Sequence, residues 1–325
     1  MKLVIDAMGS DTGSSIVVEA VKEFKVHNPD VELIVVGKEK ELESIKDIVR
    51  VVNANDVLPM TAGPLEVMRN KESSMYKALS VLKEENADGV ISAGSTGAFL
   101  SAATLILKLI PGIKRAALVT PFPTQIKGKK VVILDVGANN ENSPEELVQF
   151  ASMGSLYSKA VYGVATPNVY LLNNGVEEGK GAPHVKEAYK LLKNNNFEGF
   201  KGNIEPRNAL NGEADVIVCD GFSGNVFLKS CEGIAKMMSG MIKAAFKANL
   251  WSKLGYLHVR KGMKNMTETM DYKSTGGAML LGVNGVVVKA HGSSDGYSFR
   301  CAIEVAKRLA ENNIKEKIEQ GLKSE

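Results

Sequence analysis

The chain has 325 residues, of which 44% are hydrophobic and 24% charged, and its formal net charge is +3. This is the composition of a globular protein with one large or two ordinary domains. The small net charge and an aromatic content of 6% argue against nucleic acid as a partner, because surfaces that bind nucleic acid are strongly basic or rich in stacking aromatics.

Targeting signals and cysteine usage both favour the cytoplasm. The N-terminus runs directly into a strand pattern, so we predict no signal peptide. The longest apolar stretch, 98–113, contains Lys108 and Pro111 and is too short to span a bilayer. Three cysteines without a Cys-x-x-Cys pair predict neither a disulfide framework nor a zinc site, and they fit a reducing compartment.

In chain order, short β-branched runs alternate with longer amphipathic segments. Most of the short runs are continuously apolar, which is typical of parallel strands covered on both faces. The alternation predicts an α/β fold with three α/β/α layers and a Rossmann-like sheet, and no linker divides it, so we predict one domain over 1–325 with two lobes. The predicted strands are 2–7, 32–37, 50–53, 89–93, 116–121, 130–136, 168–173, 214–219 and 286–290, and the predicted helices are 17–27, 73–85, 147–161, 183–194 and a solvated, fraying 313–325.

Polar loops that contain glycine follow six of the predicted strands. In open α/β sheets, ligands bind outside the carboxyl ends of the strands. Glycine lets backbone N–H groups approach a ligand, and the start of a helix attracts anions. Any one loop is equally well explained as a strand-to-helix turn, but six on one edge of a parallel sheet favour a shared anion site. These loops are 6–13, 92–97, 135–139, 173–181, 219–225 and 291–294.

Nucleotide and metal motifs are absent from the sequence. No Gly-x-Gly-x-x-Gly follows the first strand, and no P-loop occurs. The four histidines lack the spacing of metal ligands, so we predict no metal site. His291 follows a strand and is either a hydrogen-bonded turn residue or a catalyst. Lys180 is either a surface residue paired with its neighbouring glutamates or a point charge for a phosphate or carbonyl oxygen.

The pattern of apolar and charged residues over 232–257 predicts an amphipathic helix. An apolar stripe that includes Met237 and Met241 is flanked by lysines, and Trp251, the only tryptophan, lies near its end. Such a stripe most often packs in a core or a dimer interface. A membrane-surface contact or a docking face for an acidic partner are the alternatives.

Taken together, the loop motifs resemble those of the bacterial phosphate acyltransferase of phospholipid synthesis, which transfers a fatty acyl group from acyl carrier protein to inorganic phosphate. The resemblance spans the whole chain. It implies an isocitrate/isopropylmalate dehydrogenase-like fold, a homodimer, no cofactor, and a cytoplasmic enzyme that associates peripherally with the membrane. It also implies that the helix around Trp251 is either a membrane-contact element or a dimer element. The motifs are Asp-Ala-Met-Gly-Ser-Asp at 6–11, Ser-Ala-Gly-Ser-Thr-Gly-Ala at 92–98, Asp-Val-Gly-Ala-Asn at 135–139, Cys-Asp-Gly-Phe-Ser-Gly-Asn-Val at 219–226 and Gly-Val-Val-Val-Lys-Ala-His-Gly-Ser-Ser at 285–294.

The chemistry implied by this resemblance suits the residues present. Phosphate is already nucleophilic near neutral pH, so it needs positioning more than deprotonation, and the tetrahedral oxyanion needs hydrogen-bond donors. Bare carboxylates would repel phosphate, so we expect them to organise loops. The predicted catalytic residues are Lys180, His291 and Asn225; the predicted phosphate or substrate ligands are Gly94, Ser95, Thr96, Gly97, Ser223, Gly224, Ser293 and Ser294; the predicted loop organisers are Asp6, Asp11, Asp135, Asn139 and Asp220.

Three other functions compete with this one. The first is acyl transfer between phosphate and coenzyme A, as in phosphotransacetylases. The second is a non-catalytic scaffold that recruits acyl carrier protein to membranes. The third is a nicotinamide-dependent dehydrogenase, which we rank last because the sequence has no glycine-rich dinucleotide turn and fold alone does not settle function.

Overall fold

The computed structural model describes residues 1–270 and 276–323, in which strands and helices alternate. The strands are β1 (Lys2–Asp6), β2 (Glu32–Gly37), β3 (Arg50–Asn53), β4 (Gly89–Ser92), β5 (Ala117–Pro123), β6 (Lys130–Leu134), β7 (Val169–Leu172), β8 (Phe200–Ile204), β9 (Val216–Val218), β10 (Ala278–Leu281) and β11 (Val286–Lys289). The helices are α1 (Ser15–His27), α2 (Glu39–Leu42), α3 (Glu66–Arg69), α4 (Ser74–Glu84), α5 (Thr96–Leu107), α6 (Pro144–Tyr162), α7 (Pro183–Asn194), α8 (Gly221–Lys247), α9 (Leu250–Met270), α10 (Gly296–Glu311) and α11 (Ile314–Lys323).

All these strands form one sheet, in the order β3-β2-β1-β4-β11-β10-β5-β6-β9-β7-β8. Neighbours pair in parallel in both outer parts, but β11–β10, β10–β5 and β5–β6 pair antiparallel. Three reversals mean that β6, β9, β7 and β8 run opposite to β3, β2, β1, β4 and β11. The prediction that all six loops lie on one edge of a parallel sheet is therefore wrong, because sequence pattern does not encode strand direction.

The central pairings nevertheless bring the two sets of carboxyl ends together. One row of paired residues crosses the sheet from Val288 in β11 through Met279 and Val119 to Leu134 in β6. Val288 is one residue from the end of β11, and Leu134 is the last residue of β6. The loops after β11 and β6 therefore leave the sheet close to the same row, in opposite directions.

Alternating side chains build a core on each face of the sheet, as a strand's period of two requires. Leu3 and Ile5 of β1 pack in the core beneath α1, α6, α7, α10 and α11, whereas Val4 packs in the core beneath α4, α5 and the start of α8. The predicted three-layer α/β/α fold is confirmed. Ser143 caps α6 in a full capping box with Glu146.

The nine predicted strands are all present, with ends shifted by one or two residues, but β8 and β10 were missed. β8 is an edge strand that carries the polar Lys201 and Asn203, so it lacks a continuous apolar run. β10, Ala-Met-Leu-Leu between Gly277 and Gly282, has no β-branched residue. Strands that are polar or lack β-branched residues give too weak a pattern to identify.

The predicted helix over 232–257 is in fact parts of two helices, α8 and α9. The break between α8 and α9 lies at Asn249. Its side-chain oxygen accepts a 2.8 Å hydrogen bond from the Ser252 N–H, which is the contact of an N-cap and starts a new helix. The apolar stripe does not enter this chain's core: Met237, Met241 and Trp251 are 57%, 61% and 82% exposed. No helix of the described ranges is long and apolar enough to cross a membrane.

The C-terminal helix α11 is also not the solvated, fraying helix that its charges predict. Ile314 and Ile318 are buried and belong to the core beneath α6, while Glu316 and Lys317 face solvent. Residues 324–325 lie outside the described residues. The two isoleucines, four apart on one face, anchor the helix.

Shortening the Ile318 side chain tests how much this anchor contributes to the stability of the protein. We expect Ile318→Ala to lower the free energy of unfolding by about 2–4 kcal/mol, because it removes buried methylenes and leaves a cavity. Denaturant unfolding followed by circular dichroism measures the change. Lys317→Ala, on the exposed face of the same helix, is the control and should stay within about 0.5 kcal/mol of wild type. Equal stability of the two variants would contradict the packing described.

Candidate active site

A cavity of about 450 Å³ lies over the central strands, between the first turns of α5 and α8 and the loop after β11. Leu118 and Thr120 of β5 and Ala278 of β10 contribute to its lining. The cavity therefore receives loops from both halves of the sheet. The predicted site residues that line it are Asp11, Thr96, Gly97, Asn225, His291, Ser293 and Ser294.

The start of α5 presents uncapped N–H groups to this cavity. Its N-cap residue Ser95 makes no side-chain cap, because the Ser95 hydroxyl instead donates a 3.0 Å hydrogen bond to the Ala62 carbonyl oxygen. Thr96 and Gly97, the first two residues of the helix, line the cavity and are exposed. Free N–H groups at a helix start, reinforced by the helix dipole, form an anion-binding site.

The loop after β11 forms an adjoining wall. The Ser293 N–H donates a 3.2 Å hydrogen bond to Nδ1 of His291, and the Ser293 hydroxyl lies 2.9 Å from the same nitrogen. Because Nδ1 accepts from the backbone, a neutral His291 ring carries its proton on Nε2. His291 is therefore set up as a hydrogen-bond donor through Nε2.

Lys289 is a buried cation at this cavity that the sequence-based assignment missed. It is the last residue of β11, is only 7% exposed, lines the cavity, and its ammonium donates to the Ala290 carbonyl oxygen. Burial lowers the pKa of Lys289 to about 8, while the carboxylates of Asp6 and Asp11 act in the opposite direction. The sequence did contain a signal for a buried lysine, because Lys289 stands inside the otherwise apolar run Val-Val-Val-Lys-Ala at 286–290.

Asp135 holds the loop after β6 in shape. Its carboxylate accepts hydrogen bonds of 2.8–3.0 Å from the N–H groups of Leu118, Gly137, Ala138 and Asn139, and one of 2.7 Å from the Asn139 side chain. Burial raises the pKa of Asp135, and these donors oppose that rise by stabilising the carboxylate. Those contacts leave Asp135 facing its own loop.

Asp6 and Asp220 make similar local contacts. Asp6 is 1% exposed and accepts from the Ser92 hydroxyl at 2.7 Å and the Met8 N–H at 3.2 Å, which ties the loops after β1 and β4 together. Burial raises the pKa of Asp6 against these hydrogen bonds. Asp220 is the N-cap of α8 and accepts from the Ser223 N–H and hydroxyl at 2.8 and 2.9 Å.

Glycines let the loops after β6 and β9 pack directly on each other. A Cβ at Gly221 would overlap the Asn139 carbonyl oxygen, and one at Gly224 would overlap that of Asp135. Gly224, predicted to bind substrate, is thus buried against the neighbouring loop. Asn225, the next residue, is exposed and lines the cavity beside Gly137.

Several predicted site residues lie outside the cavity lining. Ser223 is engaged with Asp220, Ser95 with Ala62, and Gly94 sits beneath the lining, where a Cβ would meet Met75. Lys180 is exposed on the loop after β7, where its N–H donates to the Glu177 carbonyl oxygen. The structure therefore brings together Thr96, Gly97, Asn225 and the loop from His291 to Ser294, but not Lys180.

The described residues give little support to a metal site or to a cysteine nucleophile. Within residues 1–270 and 276–323, no group of three or more His, Cys, Asp or Glu side chains is placed to hold a metal ion. Cys219 is 2% exposed, and burial raises the pKa of its thiol well above the ordinary value. A buried, protonated thiol is a poor nucleophile.

Two comparisons with known proteins match nearly the whole chain. A family model described as "Fatty acid synthesis protein" matches residues 1–317. A protein named "Phosphate acyltransferase" from an Exiguobacterium species is 44% identical over 326 residues, which cover 98% of each chain.

Two solved structures share the fold. A phosphotransacetylase from Streptococcus pyogenes has a TM-score of 0.62 at 19% identity and covers 96% of this chain and 94% of that one. A 4-hydroxythreonine-4-phosphate dehydrogenase from Klebsiella pneumoniae has a TM-score of 0.57 at 12% identity, over 95% and 99%. At these identities the likeness shows the fold alone, and it confirms the predicted dehydrogenase-like architecture.

The matches of the family model and of the named relative cover nearly the whole chain, so the resemblance drawn from the loop motifs is confirmed. They also support phosphate as a substrate. The chain belongs to the fatty acid synthesis protein family whose named relatives are phosphate acyltransferases, and it is an acyltransferase.

Proposed function

We propose that the protein transfers a fatty acyl group from acyl carrier protein to inorganic phosphate, and that the product, an acyl phosphate, serves phospholipid synthesis. The observation that carries this proposal is the uncapped start of α5, which shares one cavity with the buried Lys289. Backbone donors and a lysine ammonium are suited to an oxyanion ligand.

In the proposed reaction, a phosphate oxygen attacks the carbonyl carbon of the thioester. A carbon–oxygen bond forms, the carbonyl π electrons move to its oxygen, and the carbon–sulfur bond then breaks to release a thiolate, which takes a proton from solvent. The phosphate is held by the N–H groups of Thr96 and Gly97 and by Lys289. His291 Nε2–H and the Asn225 side chain donate to the oxyanion, which is the charge that develops in the transition state.

Lys180 keeps a proposed role on the donor side. It projects from the loop after β7, and β7 pairs with β9, whose following loop begins α8 and carries Asn225. Its exposed side chain therefore belongs to the same edge of the sheet as Asn225, although it does not line the cavity. We propose that it meets the carbonyl oxygen or the departing thiolate when the donor is bound.

The exposed stripe on α8 and α9 supports two further parts of the proposal. Its methionines and Trp251 form an apolar surface flanked by lysines such as Lys243 and Lys247. Exposed apolar patches of this kind mark interfaces. We propose that the enzyme is a cytoplasmic homodimer with peripheral membrane contact, and that this surface serves one or both purposes.

The function is tested by incubating acyl-acyl carrier protein with and without phosphate and trapping acyl phosphate with hydroxylamine. We expect hydroxamate that depends on phosphate. A parallel reaction with acyl-coenzyme A distinguishes a phosphotransacetylase-like donor. Binding of acyl carrier protein without any product would favour the scaffold, and no phosphate-dependent product with either donor would overturn the proposal.

Lys289 gives the phosphate site a pH dependence. Its pKa, lowered to about 8, leaves the ammonium charged below pH 8 and neutral above it. The KM for phosphate should therefore rise as pH increases through 8. Lys289→Met should raise this KM about 10- to 100-fold at pH 7, the loss expected for a charge-assisted hydrogen bond, and should remove the rise above pH 8. Steady-state kinetics from pH 6.5 to 9.5 measure both effects.

The control for this variant is Lys22→Met, an exposed lysine on α1 at the opposite face of the sheet. It should reproduce the wild-type KM and pH profile. If Lys289→Met behaves like Lys22→Met, Lys289 does not contact phosphate.

The variant Lys180→Ala tests whether Lys180 acts on the acyl donor rather than on phosphate. We expect kcat to fall about 10- to 100-fold, because one donor to the developing oxyanion is lost, while the KM for phosphate stays unchanged. Lys201→Ala, exposed on the neighbouring β8, is the control and should leave both constants unaltered. An unchanged kcat for Lys180→Ala would assign Lys180 to the surface of its loop.

A further inference from the structure

A second cavity, of about 540 Å³, opens beside the first. Gly97 at the start of α5 and Gly137 in the loop after β6 line both cavities, so the two meet at these glycines. One wall of the second cavity is the face of α5 that carries Ser101, Thr104 and Leu105. The opposite wall is the loop segment 138–140. We call this second cavity the α5 groove.

The α5 groove runs from the phosphate site to the surface. Eight residues of helix separate Gly97 from Leu105, a length of about 12 Å along the helix axis. Leu65 and Leu105 beside it are 57% and 40% exposed, so the groove is open rather than enclosed. It is a channel with one end at the reacting centre and its side open to solvent.

Two cations belong to the lining of the groove. Lys114 and Arg115 are both exposed and both line the groove. Arg115 Nε lies 3.2 Å from the Glu146 carboxylate, whereas Lys114 has no ion pair within 4 Å among the described residues and acts only at longer range on the exposed Glu145, whose pKa it helps to lower. Lys114 is therefore available to an anionic ligand.

The shape and chemistry of the groove match one part of a thioester donor. The thiol of such a donor sits at the end of a pantetheine arm, whose other end carries a phosphodiester joined to a carrier protein or a nucleotide. That arm has to lead from the reacting carbon to the surface, since its attachment is too bulky to enter. Its amides suit hydroxyl and amide side chains such as those of Ser101 and the exposed Asn140, both of which line the groove, and its phosphate suits an exposed lysine. A fatty acyl chain would instead favour an enclosed apolar site.

We propose that the α5 groove holds the phosphopantetheine arm of the donor, with its thioester at the Gly97–Gly137 junction and its phosphodiester at Lys114. This inference rests on the proposed acyl transfer and adds the donor's path to it. The phosphate that reacts and the phosphate of the arm then occupy opposite ends of one continuous site.

Three donors with the same acyl group test the proposal on the full chain: acyl-acyl carrier protein, acyl-coenzyme A and an acyl N-acetylcysteamine thioester, which lacks the phosphate end. Lys114→Glu should raise the KM about tenfold for donors that carry the phosphodiester, because a surface attraction becomes a repulsion. It should leave the KM of the truncated donor unchanged. The loss should diminish at high salt. Lys22→Glu, on the opposite face of the sheet, is the matched control.

A second variant, Ser101→Phe, places a bulky ring in the middle of the groove. It should lower kcat/KM for the two full-length donors at least tenfold, by an order-of-magnitude steric argument, without changing the KM for phosphate. Thermal unfolding checks that the variant is folded. Of the two full-length donors, the one with the higher wild-type kcat/KM identifies the source of the arm.

The outcomes separate this inference from the function on which it rests. If wild type forms no acyl phosphate from any of the three donors, the proposed function fails. If wild type is active and Lys114→Glu matches Lys22→Glu, or affects the truncated donor equally, the function stands and the placement of the arm is wrong.

Discussion

Three antiparallel pairings at the centre of the sheet, from β11 to β10 to β5 to β6, determine where the chemistry can occur. An uninterrupted parallel sheet would place all strand-end loops on one edge. Here the two parallel parts run in opposite directions, and only the overlap of β11 and β6 in the central row brings their loops to a common cavity. The start of α5, the start of α8 and the loop from His291 to Ser294 all meet there for this reason.

The site is built to receive negative charge. Its first component is a set of N–H groups at the start of α5, left uncapped because Ser95 binds elsewhere. Its second is Lys289, buried at the end of a strand. Two buried carboxylates close to the site are engaged elsewhere: Asp135 accepts from the backbone of its loop, and Asp6 joins two loops through Ser92. Asp11 and Glu232 line the cavity themselves, and the Asp11 carboxylate acts on Lys289. The buried pair thus supports the donors without competing with them, which suits a reaction in which phosphate needs orientation more than a base.

Sequence pattern identified nine of the eleven strands of the described residues and the family, but it missed β8 and β10 and merged parts of α8 and α9 into one helix. The long apolar runs and the capping box at Ser143 encode local structure, and periodicity reports local structure well. Strand direction in the central sheet is set by pairing between distant segments, so no local pattern encodes it. The same limit explains why Lys180, conspicuous among glycines, was selected while Lys289 was overlooked: burial of a lysine in a strand depends on what packs around it.

The close packing of the loops after β6 and β9 has a consequence for motion. Gly221 and Gly224 bring the backbone of one loop into van der Waals contact with the carbonyl groups of the other. Because a shift of either loop would press on its neighbour, we expect this side of the cavity, with the start of α8, to move least. Any opening of the site is then expected on the opposite side, where the loops after β1 and β11 meet through the hydrogen bond between the Asp11 N–H and the Gly292 carbonyl oxygen.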